Sequence, residues 1–109
     1  MDPDKIIFMA CDDIANAMEN PFQGQIFNDP EGDNVYDPFA IDYKREQLNP
    51  ETFMAVMMGD KKAAGGGKVL RSTIEDNVFL FFVDHGAPGI LAFPHEGEGR
   101  RPFSFFYAD

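Results

Sequence analysis

Apolar positions along the chain gather in short runs, with a single stretch of helical spacing between them. Lys5-Ile6-Ile7-Phe8-Met9-Ala10 has no helical period and ends at Cys11-Asp12-Asp13, which predicts a buried strand running into a polar edge. Val78-Phe79-Leu80-Phe81-Phe82-Val83 places six large apolar residues between Asp76-Asn77 and Asp84-His85-Gly86. Such a run spans roughly 20 Å as a strand. A strand apolar on both faces belongs inside a sheet covered on both sides, usually a parallel one. Ile90-Leu91-Ala92-Phe93 predicts a further short strand behind the turn Ala87-Pro88-Gly89. The helical signal is Asn49-Pro50-Glu51, a cap, a first-turn proline and an acidic residue at the positive end of the helix dipole. Phe53, Val56 and Met57 then fall on one face and Gly59 supplies a stop, with Met54, Met57 and Met58 read as core filler.

Residues 14–49 are dense in turn formers, among them Asn20-Pro21, Asn28-Asp29-Pro30-Glu31-Gly32 and Asp37-Pro38. Gln25-Ile26-Phe27 and Val35-Tyr36 are the extended pieces inside this excursion, which reads as a hairpin-bearing loop on one rim of the sheet. The expected fold class is α/β: an open, mostly parallel sheet with flanking helices and that hairpin-bearing loop. Ligand sites in such sheets sit at the carboxyl ends of the strands. Gly65-Gly66-Gly67 has no Gly-Lys-Ser/Thr ending, so it is not read as a phosphate loop. Phe103-Ser104-Phe105-Phe106-Tyr107 is a fresh apolar stretch with no obvious partner.

Composition narrows the function. The chain has 109 residues, 12 of them Phe, enough apolar material for a core and against wholesale disorder. Its net charge is −10, and residues 1–59 carry 12 acidic against 3 basic side chains. That balance argues against a nucleic-acid partner, which needs a basic face. No run approaches a membrane span, and Met1-Asp2-Pro3-Asp4 lacks the pattern of a signal peptide. The single cysteine, Cys11, excludes an internal disulfide and a multi-cysteine zinc site.

Histidine 85 follows directly on the inner run, between Asp84 and Gly86. An unperturbed imidazole titrates near 6.5, which suits proton transfer around neutrality. Without a Cβ, Gly86 lets its backbone N–H approach a substrate and donate to a developing oxyanion. A histidine that merely caps a strand end, beside a glycine that merely turns the chain, fits the same local pattern. A Cys11–His85 dyad is disfavoured, since Asp12 and Asp13 raise the thiol pKa, and Cys11 reads as a small buried filler. No spacing among Asp12, Asp13, Asp84, His85 and His95 is diagnostic of a metal site, and no motif calls for a cofactor. The two acids Asp12 and Asp13 read as acceptors for backbone N–H groups at the strand end. Ser72 and Ser104 have no supporting context for nucleophilic chemistry.

In order along the chain, several segments form one connected series. They are Asp12-Asp13-Ile14-Ala15, Asn20-Pro21, Gly24-Gln25-Ile26-Phe27-Asn28, Val35-Tyr36 and Asp42-Tyr43, then Pro50-Glu51-Thr52-Phe53-Met54-Ala55-Val56, Gly59-Asp60-Lys61 and Gly67-Lys68-Val69-Leu70. Val78-Phe79 and Asp84-His85-Gly86-Ala87-Pro88-Gly89-Ile90-Leu91-Ala92-Phe93-Pro94 complete the series. Together these segments resemble the legumain (asparaginyl endopeptidase) family of caspase-like cysteine peptidases. Family-like sequence covers residues 3–95, and 96–109 form a divergent tail, so the expectation for 1–109 is a partial peptidase domain with an incomplete caspase-like sheet.

The resemblance implies hydrolysis of protein or peptide substrates after asparagine. It implies a catalytic His85, an oxyanion-hole N–H at Gly86 and a supporting Asp84. It also implies residence in a lysosome, a vacuole or the secreted fluid. The family's cysteine nucleophile lies downstream of the histidine, whereas here 24 residues follow His85 and none is cysteine. The chain by itself is therefore expected to be inactive, with residues 96–105 an insertion or mis-read segment. The catalytic subunit of the glycosylphosphatidylinositol transamidase shares Asp-Asp-x-Ala and Asn-Pro, but normally has Gly-His-Gly in place of Asp84-His85-Gly86. A non-catalytic, legumain-derived binding protein is the alternative from another class.

Overall fold

The computed structural model describes residues 2–95 and 104–107. Its elements are β1 (Met9–Ala10), β2 (Tyr43–Lys44), α1 (Pro50–Met57), β3 (Gly86–Ala87), β4 (Ile90–Phe93) and β5 (Ser104–Tyr107), with 3-10 turns at Pro3–Lys5 and Arg45–Gln47. β1 and β2 pair in parallel, Met9 opposite Tyr43. β3, β4 and β5 form a separate antiparallel sheet in that order, Gly86 opposite Leu91 and Leu91 opposite Phe106. Among the described residues the fold is thus a mixed arrangement of short strands and one helix, and of the open, mostly parallel sheet expected from the sequence they show parallel pairing only at β1–β2.

Helix α1 follows its sequence signals closely. The Asn49 side-chain oxygen accepts from the Thr52 N–H at 2.8 Å, and its amide donates to the Glu46 carbonyl at 2.9 Å. The other end closes through Gly59 N–H to Val56 O at 3.2 Å and Asp60 N–H to Ala55 O at 2.9 Å. Gly59 sits at φ +73°, a left-handed conformation that a side chain would strain. Asn49 is 9% exposed, so both of its bonds are shielded from water. Asn49→Ala is expected to cost about 1–2 kcal/mol, read as a lower urea midpoint with unchanged slope. A midpoint equal to wild type would show that the cap does not hold this helix.

The buried face of α1 presents Phe53, Ala55 and Val56. Ala55 and Val56 join Tyr43, Leu48, Ala64 and Val69 in one core, against which Ile7, Met9 and Cys11 pack from the β1 side. Met58 lies on the helix cap with 76% of its surface exposed, so of the three methionines read as core filler this one is not. Phe53 instead begins a second cluster, with ring centroids 5.5 Å from Phe93 and 6.3 Å from Phe82.

Two sequence-based strands shrink for want of partners. Only Met9–Ala10 of the 5–10 run is strand, because Pro3–Lys5 turn and β2 offers just two pairing residues. The 78–83 run forms no strand, and no backbone hydrogen bond to it exists among the described residues. Its burial nevertheless alternates. Val78 and Leu80 are 49% and 51% exposed and Phe82 is half-buried, whereas Phe79, Phe81 and Val83 are 77–88% exposed. One face rests on the Phe53–Phe93 cluster through Phe82; the other faces solvent.

The tail differs in the opposite direction, since the stretch that lacked a partner in sequence pairs along all of β4 as β5. The divergent residues 96–103 and 108–109 lie outside the described residues. In the 14–49 excursion, Val35 N–H donates to Ile26 O at 2.8 Å and Ile26 N–H to the Asn34 side chain at 2.9 Å, a hairpin-like closure without a strand ladder.

Candidate active site

The carboxyl end of β1 opens into the site. Ile7, Met9 and Cys11 turn toward the core, so the alternate residues Phe8, Ala10 and Asp12 turn the other way. Asp12 bends the chain sharply at φ +58°, a conformation that aspartate tolerates better than most residues. Its carboxylate accepts from the Tyr36 hydroxyl at 2.6 Å and lies 3.6 Å from the Lys44 ammonium, which also donates to Pro38 O at 3.0 Å. Asp12 therefore does not serve strand-end backbone N–H groups, as expected from sequence. It ties the 14–49 excursion and β2 to the end of β1.

The Tyr36 hydroxyl first, then the Lys44 and Arg45 charges, hold the Asp12 carboxyl below the usual carboxylate range, while the same bond pushes the Tyr36 phenol up. A carboxyl whose folded pKa lies below its unfolded value contributes stability fully present above about pH 4 and lost as pH falls through the folded pKa. Tyr36→Phe is accordingly expected to lower the urea midpoint at pH 7, with the gap to wild type closing in strong acid. An equal gap at both pH values would separate Asp12 ionisation from this contact.

Cys11 is half-buried, and burial first, then the charges of Asp13 and Asp84, push its thiol up. Asp12 is not among these causes, its charge being answered by Lys44. A raised thiol keeps Cys11 protonated at neutral pH, the filler role read from sequence. The Asp84-His85-Gly86 turn forms the rim that leads into β3.

On that rim His85 is exposed, and its backbone carries the local order. The His85 N–H donates to the Asp84 side chain at 2.6 Å, and the His85 carbonyl accepts from Ala92 N–H at 3.1 Å. The His85 side chain makes no hydrogen bond among the described residues, so Asp84 acts here on the backbone and not on the imidazole. Gly86 enters β3, where a Cβ would stand 3.0 Å from the Ile90 carbonyl oxygen. The hairpin alone therefore already favours glycine at 86. His95 lies apart from His85, its N–H on the Leu48 carbonyl at 3.3 Å. Among the described residues no three His, Cys, Asp or Glu side chains group so as to hold a metal ion, and no helix is long and apolar enough to cross a membrane.

Beside β1 runs a groove of about 300 Å³. Phe8, Ile14, Ile26, Val35 and Ile41 form its apolar walls, with Asp12, Asp13, Tyr36 and Asp37 among its polar lining. The sequence carried no signal for it, because its walls come from three segments far apart in the chain.

Comparison with known proteins gives this rim a context. A model of the peptidase C13 family matches residues 1–101. A hemoglobinase of Schistosoma japonicum is 52% identical over 101 residues, covering 93% of this chain and 23% of that protein. Rat (Rattus norvegicus) legumain is 50% identical over 96 residues, covering 85% and 22%. The vacuolar-processing enzyme delta-isozyme of Arabidopsis thaliana is 43% identical over 95 residues, covering 85% and 20%. The chain thus spans less than a quarter of the length of each of these relatives.

Proposed function

Because the chain belongs to the peptidase C13 family, we propose that it forms part of a legumain-type cysteine endopeptidase domain that cleaves protein substrates after asparagine. The observation that carries this reading is the 52% identity over 101 residues to a hemoglobinase. In this reading His85 takes and returns the proton that passes between a cysteine thiol and the leaving amine. The Gly86 N–H donates to the tetrahedral oxyanion, and Asp84 fixes the turn that presents both. The thiolate attacks the scissile carbonyl, the amine departs with a proton from the imidazole, and water then releases the acyl group.

The nucleophile is proposed to lie outside this chain, since Cys11 is held protonated against the core. The open face of 78–83 supports the same view. Phe79, Phe81 and Val83 are what an interior strand of a parallel sheet presents when its neighbours belong to other parts of the domain. Localisation in a lysosome or vacuole follows from the same family reading.

An Ala-Ala-Asn reporter peptide tests the proposal. No release is expected from the 109 residues alone, and release is expected from a longer product that adds a downstream cysteine. Release by the isolated chain that disappears in Cys11→Ser would overturn the assignment of the nucleophile. A non-catalytic binding role is the second reading, and silence from the longer product would select it.

A further inference from the structure

The groove beside β1 has a lining whose charge is one-sided. Three of its large apolar walls are open to water, Phe8 at 47%, Val35 at 54% and Ile14 at 65%. A volume of about 300 Å³ is at the small end of ligand pockets, room for one or two side chains and little more. Its lining holds three carboxylates and no cation. Lys44 answers Asp12, and Arg45, whose charge also reaches Asp12, stands outside the lining. Asp13 has no hydrogen bond or ion pair among the described residues, and Asp37 spends one oxygen on the Phe39 N–H at 2.9 Å. Two carboxylates therefore remain unneutralised at an apolar groove.

We infer that the groove binds a peptide segment that carries an aliphatic side chain next to a lysine or arginine. The aliphatic group fills the space between Ile14 and Val35, and the cation sits between Asp13 and Asp37. The inference rests on the peptidase reading for its biological meaning, but binding itself requires no turnover. Rim carboxylates of this kind give selectivity more than affinity.

The test titrates the 109-residue chain with N-acetyl-Leu-Lys amide and with N-acetyl-Leu-Glu amide, following backbone amide chemical shifts. Shifts are expected at Ile14, Val35 and Ala40, with about five-fold tighter binding of the lysine peptide. Asp13→Asn combined with Asp37→Asn should bring that ratio close to one. Glu31→Gln combined with Asp33→Asn, on the same acidic excursion but outside the groove, should leave it unchanged. Equal affinity for the two peptides, shifts centred on Phe79 and Phe81, or no shift at all would overturn the inference. Failure of the peptidase reading would appear separately, as a silent reporter assay with this selectivity intact.

Discussion

Replacing His85 by alanine in a longer product that hydrolyses the Ala-Ala-Asn reporter is expected to lower kcat by at least about 10³-fold. In the proposed mechanism, loss of the imidazole takes away both the base that generates the thiolate and the acid that releases the amine. The two losses fall on one group, so they do not add as independent effects. The variant should fold normally, because the His85 side chain is exposed and makes no hydrogen bond among the described residues. The local order at this turn comes from the backbone N–H and carbonyl, both of which alanine keeps. His95→Ala is the control and should leave the rate within about two-fold, since only its backbone is engaged, at Leu48. A His85→Ala enzyme with near-normal kcat would remove the central residue of the proposed mechanism.

The largest effect on stability is expected at Tyr43. It is fully buried at the centre of the main core, with its hydroxyl donating to the Lys68 carbonyl at 2.7 Å. Tyr43→Ala removes a ring from a closed site and should cost about 3–5 kcal/mol, a large part of what a small domain possesses. Tyr43→Phe keeps the packing and strands one carbonyl, for a cost nearer 1 kcal/mol. The ring also explains the last glycine of Gly65-Gly66-Gly67, because a Cβ at Gly67 would stand 2.5 Å from the Tyr43 oxygen and 2.8 Å from Cζ. Gly67→Ala should therefore be destabilising in the wild-type background and milder in Tyr43→Ala, a coupling that a double-mutant cycle measures. Urea midpoints for the four proteins decide it. A Tyr43→Ala midpoint within error of wild type would mean that the core does not depend on this ring.

Tyr43 is held from a second side. Lys68 lies 3.0 Å from the Asp42 carboxylate and donates to the Ile6 carbonyl at 2.9 Å, while Asp42 accepts from Phe8 N–H at 2.8 Å. The glycine-rich segment that sequence could describe only as something other than a phosphate loop is a strap across β1 and β2. Its lysine is spent on carbonyls and a carboxylate, and nothing local to Gly65-Gly66-Gly67-Lys68 announces that.

Local signals were legible where local physics decides. Asn49, Pro50 and Gly59 bounded α1 because caps, a first-turn proline and a left-handed glycine act within one helical turn. Gly89, at φ +76°, likewise marked the turn between β3 and β4. The apolar runs revealed that 5–10, 78–83 and 90–93 are extended and greasy, and the residues quoted for the family resemblance led to the C13 family. Strand pairing was beyond reach. A strand exists only through hydrogen bonds to a neighbour, and neighbours are set by the whole chain. Hence 5–10 shortened to Met9–Ala10, 78–83 stayed unpaired, and 104–107 found β4. The same reason separates the two halves of the candidate site. Order along the chain singled out His85, Gly86 and Cys11 only as candidates, and the family resemblance gave His85 and Gly86 their expected roles. Only three-dimensional packing set Asp12 on Tyr36 and Lys44 and gathered residues from 8 to 41 around one groove, because side chains dozens of residues apart share a surface only after the backbone has closed.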